Sequence, residues 1–236
     1  MGSAEAIAHG AATLVNAIAL GKGAAFGVDL WTKAEVTLTD DTKAIRAEIT
    51  SDPSESTILI EKTVSRVLKR FGVENQYGAK IKTTSNIPVA KGLKSSSAAA
   101  NAVVLSTLAC LGEELDDLSI VNLGVDAAFD AKVTITGAFD DACASYFGGI
   151  VVTDNDLRMV VKRLELSEEL MGLIVLFHVP PAKSYTANSN VRRLKSVASL
   201  VNVAYDEVLR ENLWTALSLN GLIYSSYIFL CQSIKS

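Results

Sequence analysis

Three consecutive serines, Ser95, Ser96 and Ser97, stand at the head of an Ala-rich segment, just after a loop carrying Pro88, Lys91, Gly92, Leu93 and Lys94. Small residues let a ligand approach the backbone closely, and the first N–H groups of a helix have no partner inside it. Those donors and the positive end of the helix dipole suit a phosphate, and serine hydroxyls can ligate a Mg²⁺ bound to it. Lys91 and Lys94 place positive charge at the same point. On spacing alone, a serine cap on a core helix reads equally well.

A second constellation is Asp140-Asp141, which follows the bend at Gly137 and lies between apolar residues. Adjacent carboxylates in such surroundings are costly unless they meet a cation or a hydrogen-bond donor. Accepting a proton from a hydroxyl, or holding a metal, would explain them; so would a helix start favoured by the dipole. A third stretch, Asn16 to Gly27, carries Gly21, Gly23 and Gly27. It is not the G-x-G-x-x-G fingerprint, and no G-x-x-x-x-G-K-[ST] occurs anywhere, so a P-loop kinase is excluded. As an isolated glycine pattern it reads as a turn.

The elements that must position these groups follow from periodicity. After a short Ala-rich start, residues 3–50 are expected to be β-rich, with alternation over Val28–Leu38 and Lys43–Thr50. Asp52-Pro53-Ser54 is expected to open a helix in which Ile60, Val64, Val67, Leu68 and Phe71 share a face, with Gly72 after its end. A strand is expected at Ala79–Ser85, a loop at Asn86–Lys94, and helices at Ser95–Leu111 and Leu118–Ala131. A turn at Gly148-Gly149 should feed a strand, followed by strands at Val160–Leu166 and Gly172–Val179 and a loop at Pro180-Pro181. Helices are expected near 189–201, 203–211 and 213–231. The class is α+β with a boundary near residue 155, giving domains 1–155 and 156–236.

Composition narrows the partners. The chain has 236 residues, 49% of them hydrophobic, which excludes a disordered chain. Its formal charge of −4, with no Lys/Arg cluster, argues against nucleic acid and for a small partner whose charge is met locally. Two histidines, His9 and His178, exclude an imidazole-rich metal site, and three dispersed cysteines suggest a reducing compartment. No signal peptide is expected at the Ala-rich start. The longest apolar stretch, Gly221–Ile234, falls short of a membrane span, so a soluble, cytoplasmic protein is expected.

In order, the three stretches resemble the GHMP kinases, the superfamily of galactokinase, homoserine kinase and mevalonate kinase. Pro88-x3-Gly92-Leu93-x-Ser95-Ser96-x-Ala98 matches its P-x-x-x-G-L-x-S-S-x-A phosphate loop. Within that superfamily, Thr136–Ser145 and Asn16–Gly27 resemble the archaeal-type shikimate kinases. The similarity runs to about residue 228, near the chain's end at Ser236. It implies a ribosomal-protein-S5-like N-terminal domain, a ferredoxin-like C-terminal domain, and ATP-dependent phosphorylation of the shikimate 3-hydroxyl. Carried over, Gly92 to Ser97 would wrap the ATP phosphates, Ser96 would ligate Mg²⁺, and Asp140 would be the catalytic carboxylate. The acidic Mg²⁺ ligand of the family points to Asp130, with Asp126 as second choice. The substrate carboxylate needs a cationic clamp, for which Arg192, Arg193, Lys22 and Lys183 are candidates, and Asp141 is a further substrate-site candidate.

The family's C-terminal Gly-rich motif has no counterpart after Asn220. By the resemblance the chain reads as shortened, with an expected apolar surface around Leu222, Ile223, Ile228 and Phe229 and weak ATP affinity. A kinase of the same fold on homoserine or mevalonate, and an inactive remnant, are the alternatives. The Pro-Ser-Gly sequence typical of homoserine and mevalonate kinases is absent before Asp140.

Overall fold

The computed structural model describes residues 2–165 and 191–233, and the side chains of residues 192–226 in the second stretch. Among the described residues, six strands, β1 (Ser3–Val15), β2 (Lys22–Thr39), β3 (Ile45–Ile49), β4 (Gly78–Ser85), β5 (Ile150–Asp154) and β6 (Met159–Leu164), form one sheet. Its order is β3-β4-β2-β5-β6, with β1 on β2. The long β2 organises it. Along one edge β2 pairs antiparallel with β1; along the other, Lys22–Phe26 pair with β5 and Thr32–Thr39 with β4. β3 and β4 are parallel, so the chain between them must cross over, and it does so as α1 (Ile58–Arg70).

The helix α1 is amphipathic, burying Leu59, Ile60, Val64, Val67 and Leu68. It stops where expected: Gly72 has φ +68, its N–H donates to Lys69 O, and Val73 N donates to Leu68 O. This is a Schellman end, and the left-handed residue it needs is the glycine. The start differs from expectation. Asp52–Ser54 form a turn, with Glu55 N on Asp52 O and Ser54 Oγ on Asp52 Oδ1, so the helix begins only at Ile58.

α2 (Ser95–Leu111) is apolar all round because it lies between the sheet and α3 (Asp117–Asp130), and its alanines permit that approach. Similar crowding explains an Ala-rich β1, in which Ala8, Ala11 and Ala12 are buried. Strand propensity disfavours alanine, but helices press closely on this strand, and packing decides. The Ala-rich start read from the sequence is thus already strand from Ser3. α4 (Phe139–Phe147) completes the layer, with Phe139, Val121, Val125 and Val151 in one cluster.

On the opposite face of β5, Ile150 and Val152 pack against Val201, Tyr205 and Val208 of α6 (Ala198–Leu209). β5 is therefore buried on both faces, and it opens with the apolar run Ile150-Val151-Val152. β6 pairs with β5, so strand pairing carries the sheet across the boundary expected near residue 155. The helices expected at 189–201 and 203–211 are divided differently: a short α5 (Val191–Leu194), one 3₁₀ turn (Lys195–Val197), then a continuous α6. The last helix is α7 (Leu213–Ser233). On α7, Leu222 is exposed as expected, but Ile223 packs onto the α6 cluster. The strand expected at Gly172–Val179 and the Pro180-Pro181 loop lie outside the described residues, as do the side chains of Ile228 and Phe229. Among the described residues no helix is long and apolar enough to cross a membrane.

Candidate active site

The loop from Asn86 to Lys94 is tied to the sheet at both ends. Trp31 N donates to Asn86 Oδ1, and Ala11 N donates to Leu93 O. Leu93 is buried with Ala12, Ile87 and Ala98, so its side chain serves as the anchor and the backbone after it turns outward. Gly92 (φ +87) and Lys94 (φ +60) take left-handed conformations immediately before α2. No side chain caps α2. The N–H groups of its first turn are thus left for a ligand at the positive end of the dipole.

α4 enters the same space in the same way, through Gly137 and a left-handed Ala138, again without a side-chain cap. Two hydrogen bonds fix it against its neighbours: Asn101 Nδ2 of α2 donates to Ala142 O, and Ser145 Oγ donates to His9 O of β1. A cavity of about 750 Å³ lies between the two helix starts. Its walls include Asn16–Ile18, Ser95–Ser97, Thr136–Ala138 and Asp140–Ala142, and it extends to Ser51 and Ile58.

Asp140 and Asp141 are both buried there, 3% and 8% exposed. Lys94 Nζ lies 3.0 Å from Asp141 Oδ2. Burial works to lower the Lys94 pKa, but the Asp141 and Asp140 carboxylates outweigh it and the net shift is upward. Asp140 accepts a 2.8 Å hydrogen bond from Asn155 Nδ2. Burial first, then the neighbouring Asp141, push its carboxyl up to about 7, against the pull of Asn155 and Lys94. Two buried oxygens on cavity-lining residues, Asn101 Oδ1 and Asp141 Oδ1, have no hydrogen-bond partner. Native structures rarely leave such atoms unmatched, so a bound molecule is the natural complement.

Among the residues singled out from the sequence, Gly92, Lys94, Ser95, Ser96, Ser97, Asp140 and Asp141 line the cavity. Pro88, Lys91, Leu93 and Ala98 do not; Leu93 and Ala98 are core residues that hold the loop. Asp130 is not brought to the site. Its carboxylate is engaged by Arg66 through two hydrogen bonds of 2.6 and 2.7 Å, away from the cavity walls. Asp126 is likewise paired, with Arg158 at 2.8 Å. Lys22 is half exposed and sits 3.9 Å from Asp154, and Arg192 and Arg193 are exposed on α5; none of the three lines the cavity. Lys183 lies outside the described residues. Sequence reasoning missed Asn101 and Asn155, whose only sequence signals are an asparagine inside an Ala-rich helix and a turn after β5.

The donors present suit one kind of metal site. No group of three or more His, Cys, Asp or Glu among the described residues could hold an ion alone. The hard oxygens at the start of α2 would fit a Mg²⁺ held mainly by ligand phosphates, and the exposed Ser96 hydroxyl is the protein oxygen that could meet it.

Comparison with known proteins bears on the family and the fold. Residues 59–149 match the GHMP kinases N terminal domain. The chain is 49% identical to the shikimate kinase of Methanococcoides burtonii over 93% of its own length and 74% of the relative's. It is 50% identical to that of Methanosarcina acetivorans, over 93% and 72%. The Methanococcus jannaschii mevalonate kinase superposes with a TM-score of 0.70 at 16% identity, over 96% of this chain and 80% of that one. A homoserine kinase from Cytophaga hutchinsonii gives 0.62 at 18% identity, over 94% and 70%. The fold is the mixed α+β fold of these kinases, and the chain belongs to the GHMP kinase family, among the archaeal shikimate kinases.

Proposed function

We propose that the protein is a shikimate kinase that transfers the γ-phosphoryl group of ATP to the 3-hydroxyl of shikimate, giving shikimate 3-phosphate and ADP. The observation that carries this reading is the convergence of an uncapped helix N-terminus and a buried, proton-accepting carboxylate on one cavity. Its substrate is taken from relatives that are 41–50% identical across nearly the whole chain. The finer architecture we infer with it is an S5-like N-terminal domain and a ferredoxin-like contribution from the chain beyond residue 155.

Phosphoryl transfer of this kind depends on positioning and charge neutralisation rather than on covalent catalysis. The backbone from Gly92 to Ser97 would receive the phosphates. Lys94 brings a cation to the boundary between that loop and the two carboxylates. Asp140 would take the hydroxyl proton as the new O–P bond forms and the bond to the β-phosphate oxygen breaks. A carboxyl poised near neutrality can accept a proton in the transition state and release it afterwards. Mg²⁺ on the phosphates would supply further charge neutralisation there, and Ser96 is the residue that would meet it.

A coupled ADP-release assay with shikimate, homoserine and mevalonate tests the reading. Stimulation by shikimate alone is expected. Stimulation by homoserine or mevalonate instead would reassign the substrate, and nucleotide binding with no stimulation by any of the three would remove the enzymatic reading.

A further inference from the structure

We propose that Asn155 is a positioning residue for phosphoryl transfer: held by Thr153, its side-chain amide orients Asp140 for the acceptor hydroxyl. The inference rests on Asp140 as the proton acceptor. Asn155 sits in the turn between β5 and β6 and is 4% exposed. Its backbone N–H donates to Gly21 O at 2.8 Å, which pins the turn to the start of β2. Its side chain is engaged at both ends. Nδ2 donates to Asp140 Oδ1 at 2.8 Å, and Oδ1 lies 2.7 Å from Thr153 Oγ1, itself completely buried.

The direction of this relay follows from valence. An ionised carboxylate only accepts, so the amide must face Asp140 with its NH₂ and face Thr153 with its oxygen. Thr153 must then donate to Asn155, and Gly23 O, farther away at 3.4 Å, is the weaker competitor for that hydroxyl proton. The donors run one way, Thr153 to Asn155 to Asp140. On the other side of the carboxylate stands Gly23, where a Cβ would lie 2.5 Å from Asp140 Oδ2. One oxygen is therefore held by an amide and the other confined by a backbone without a side chain. The acceptor capacity not used by Asn155 and the Asp141 backbone N–H is left for a hydroxyl in the cavity. A residue needed only to fill space would be apolar here; a buried amide satisfied at both ends specifies an orientation.

Among the described residues, the titratable and charged groups facing Asp140 are Asp141 and Cys143 on α4 and Lys94 at the entry to α2. Asp141 raises its proton affinity, Lys94 lowers it, and Asn155 lowers it through a directed hydrogen bond. Removing the amide therefore both frees the carboxylate to rotate and raises its proton affinity.

Four variants of the full chain test this: Asn155→Ala, Thr153→Val, Thr153→Ser and, as reference, Asp140→Asn to assign the Asp140 signal. Two measurements are made on each, steady-state kinetics with shikimate and Mg·ATP, and ¹³C NMR titration of the aspartate side-chain carboxyls. Asn155→Ala should lower kcat by about 10- to 100-fold with both KM values within about twofold, because the lost interaction acts on the transition state. The acidic limb of kcat and the Asp140 titration midpoint should both move to higher pH. Thr153→Val keeps the volume and loses the donor, so it should shift both in the same direction by less, while Thr153→Ser should match the parent. Should Asn155→Ala fail to fold, the Val/Ser pair at position 153 decides. Folded variants whose kcat and Asp140 midpoint both equal the parent's would overturn the proposal. The NMR titration needs no turnover. A chain inactive on shikimate would thus refute the proposed function, while the carboxyl midpoints would still decide the role of Asn155.

Discussion

The two neighbouring aspartates meet different surroundings, and that difference is what a proton-accepting site needs. Asp141 has Lys94 at 3.0 Å, whereas Asp140 has an uncharged amide and a deep position that raises its carboxyl to about 7. Asp140→Asn should reduce kcat by about 10²–10⁴-fold while nucleotide binding persists. Its effect on stability has a definite sign. The folded protein holds the Asp140 proton more tightly than the unfolded chain, so wild-type stability falls as pH rises from about 4 through about 7. The asparagine variant lacks that loss. It should melt above wild type at pH 8, by about 1–4 kcal/mol of stability, and the gap should close as the pH is lowered toward 4. Thermal melts across that range check it; a gap that widens in acid would contradict the burial argument. Lys94→Met makes the complementary case, because it strands Asp141 in the interior. A loss of about 3 kcal/mol is expected, largely recovered in Lys94→Met/Asp141→Asn, with activity absent in both. Urea unfolding of the single and double variants measures the recovery.

At the scale of elements, the sequence was legible wherever one periodicity and one terminus signal coincided. The bounds of α2 and the end of α1 were readable because an Ala-rich run met Gly112 and an apolar stripe met Gly72, and α3 was placed to within one residue at each end. Gly72→Ala should therefore cost about 1 kcal/mol at its positive φ and leave kcat unchanged, which denaturant melts and the ADP-release assay can show together. Where neighbours override local preference, the reading slipped. The alanines of β1 are a strand because α2 and α4 lie close over them, and α6 runs on through residues 201–203 because Val201 and Tyr205 belong to one buried stripe against β5. Asp130 looked available for a metal, since nothing in its own segment reveals that Arg66, one helix away, occupies both its oxygens. Asn155 was invisible for the matching reason: its partner is 15 residues earlier, and only the β5–β6 turn brings them together.

For the whole molecule, the decisive step is that β1 and β2 carry both functional loops. Ala11 holds Leu93 before α2, and His9, two residues earlier in the same strand, holds Ser145 within α4. A single strand thus sets the separation of the Asn86–Lys94 loop from the carboxylates, and ligand binding between them should tighten both at once. Hydrogen exchange with a non-hydrolysable ATP analogue and Mg²⁺ should therefore protect amides at 89–98 and at 136–142 together. The outer faces of α1 and α3, where Arg66 meets Asp126 and Asp130, should be unaffected beyond any global stabilisation. At a hundredfold excess over Kd the analogue should add about 2.7 kcal/mol to stability. Asp130→Asn separates the two faces. It breaks an ion pair that is a third exposed, so a loss of about 1 kcal/mol or less is expected, with the analogue's protection of both loops intact. Loss of that protection in Asp130→Asn would return this carboxylate to the metal site; protection of 89–98 without 136–142 would mean that the nucleotide and the aspartates do not share one cavity.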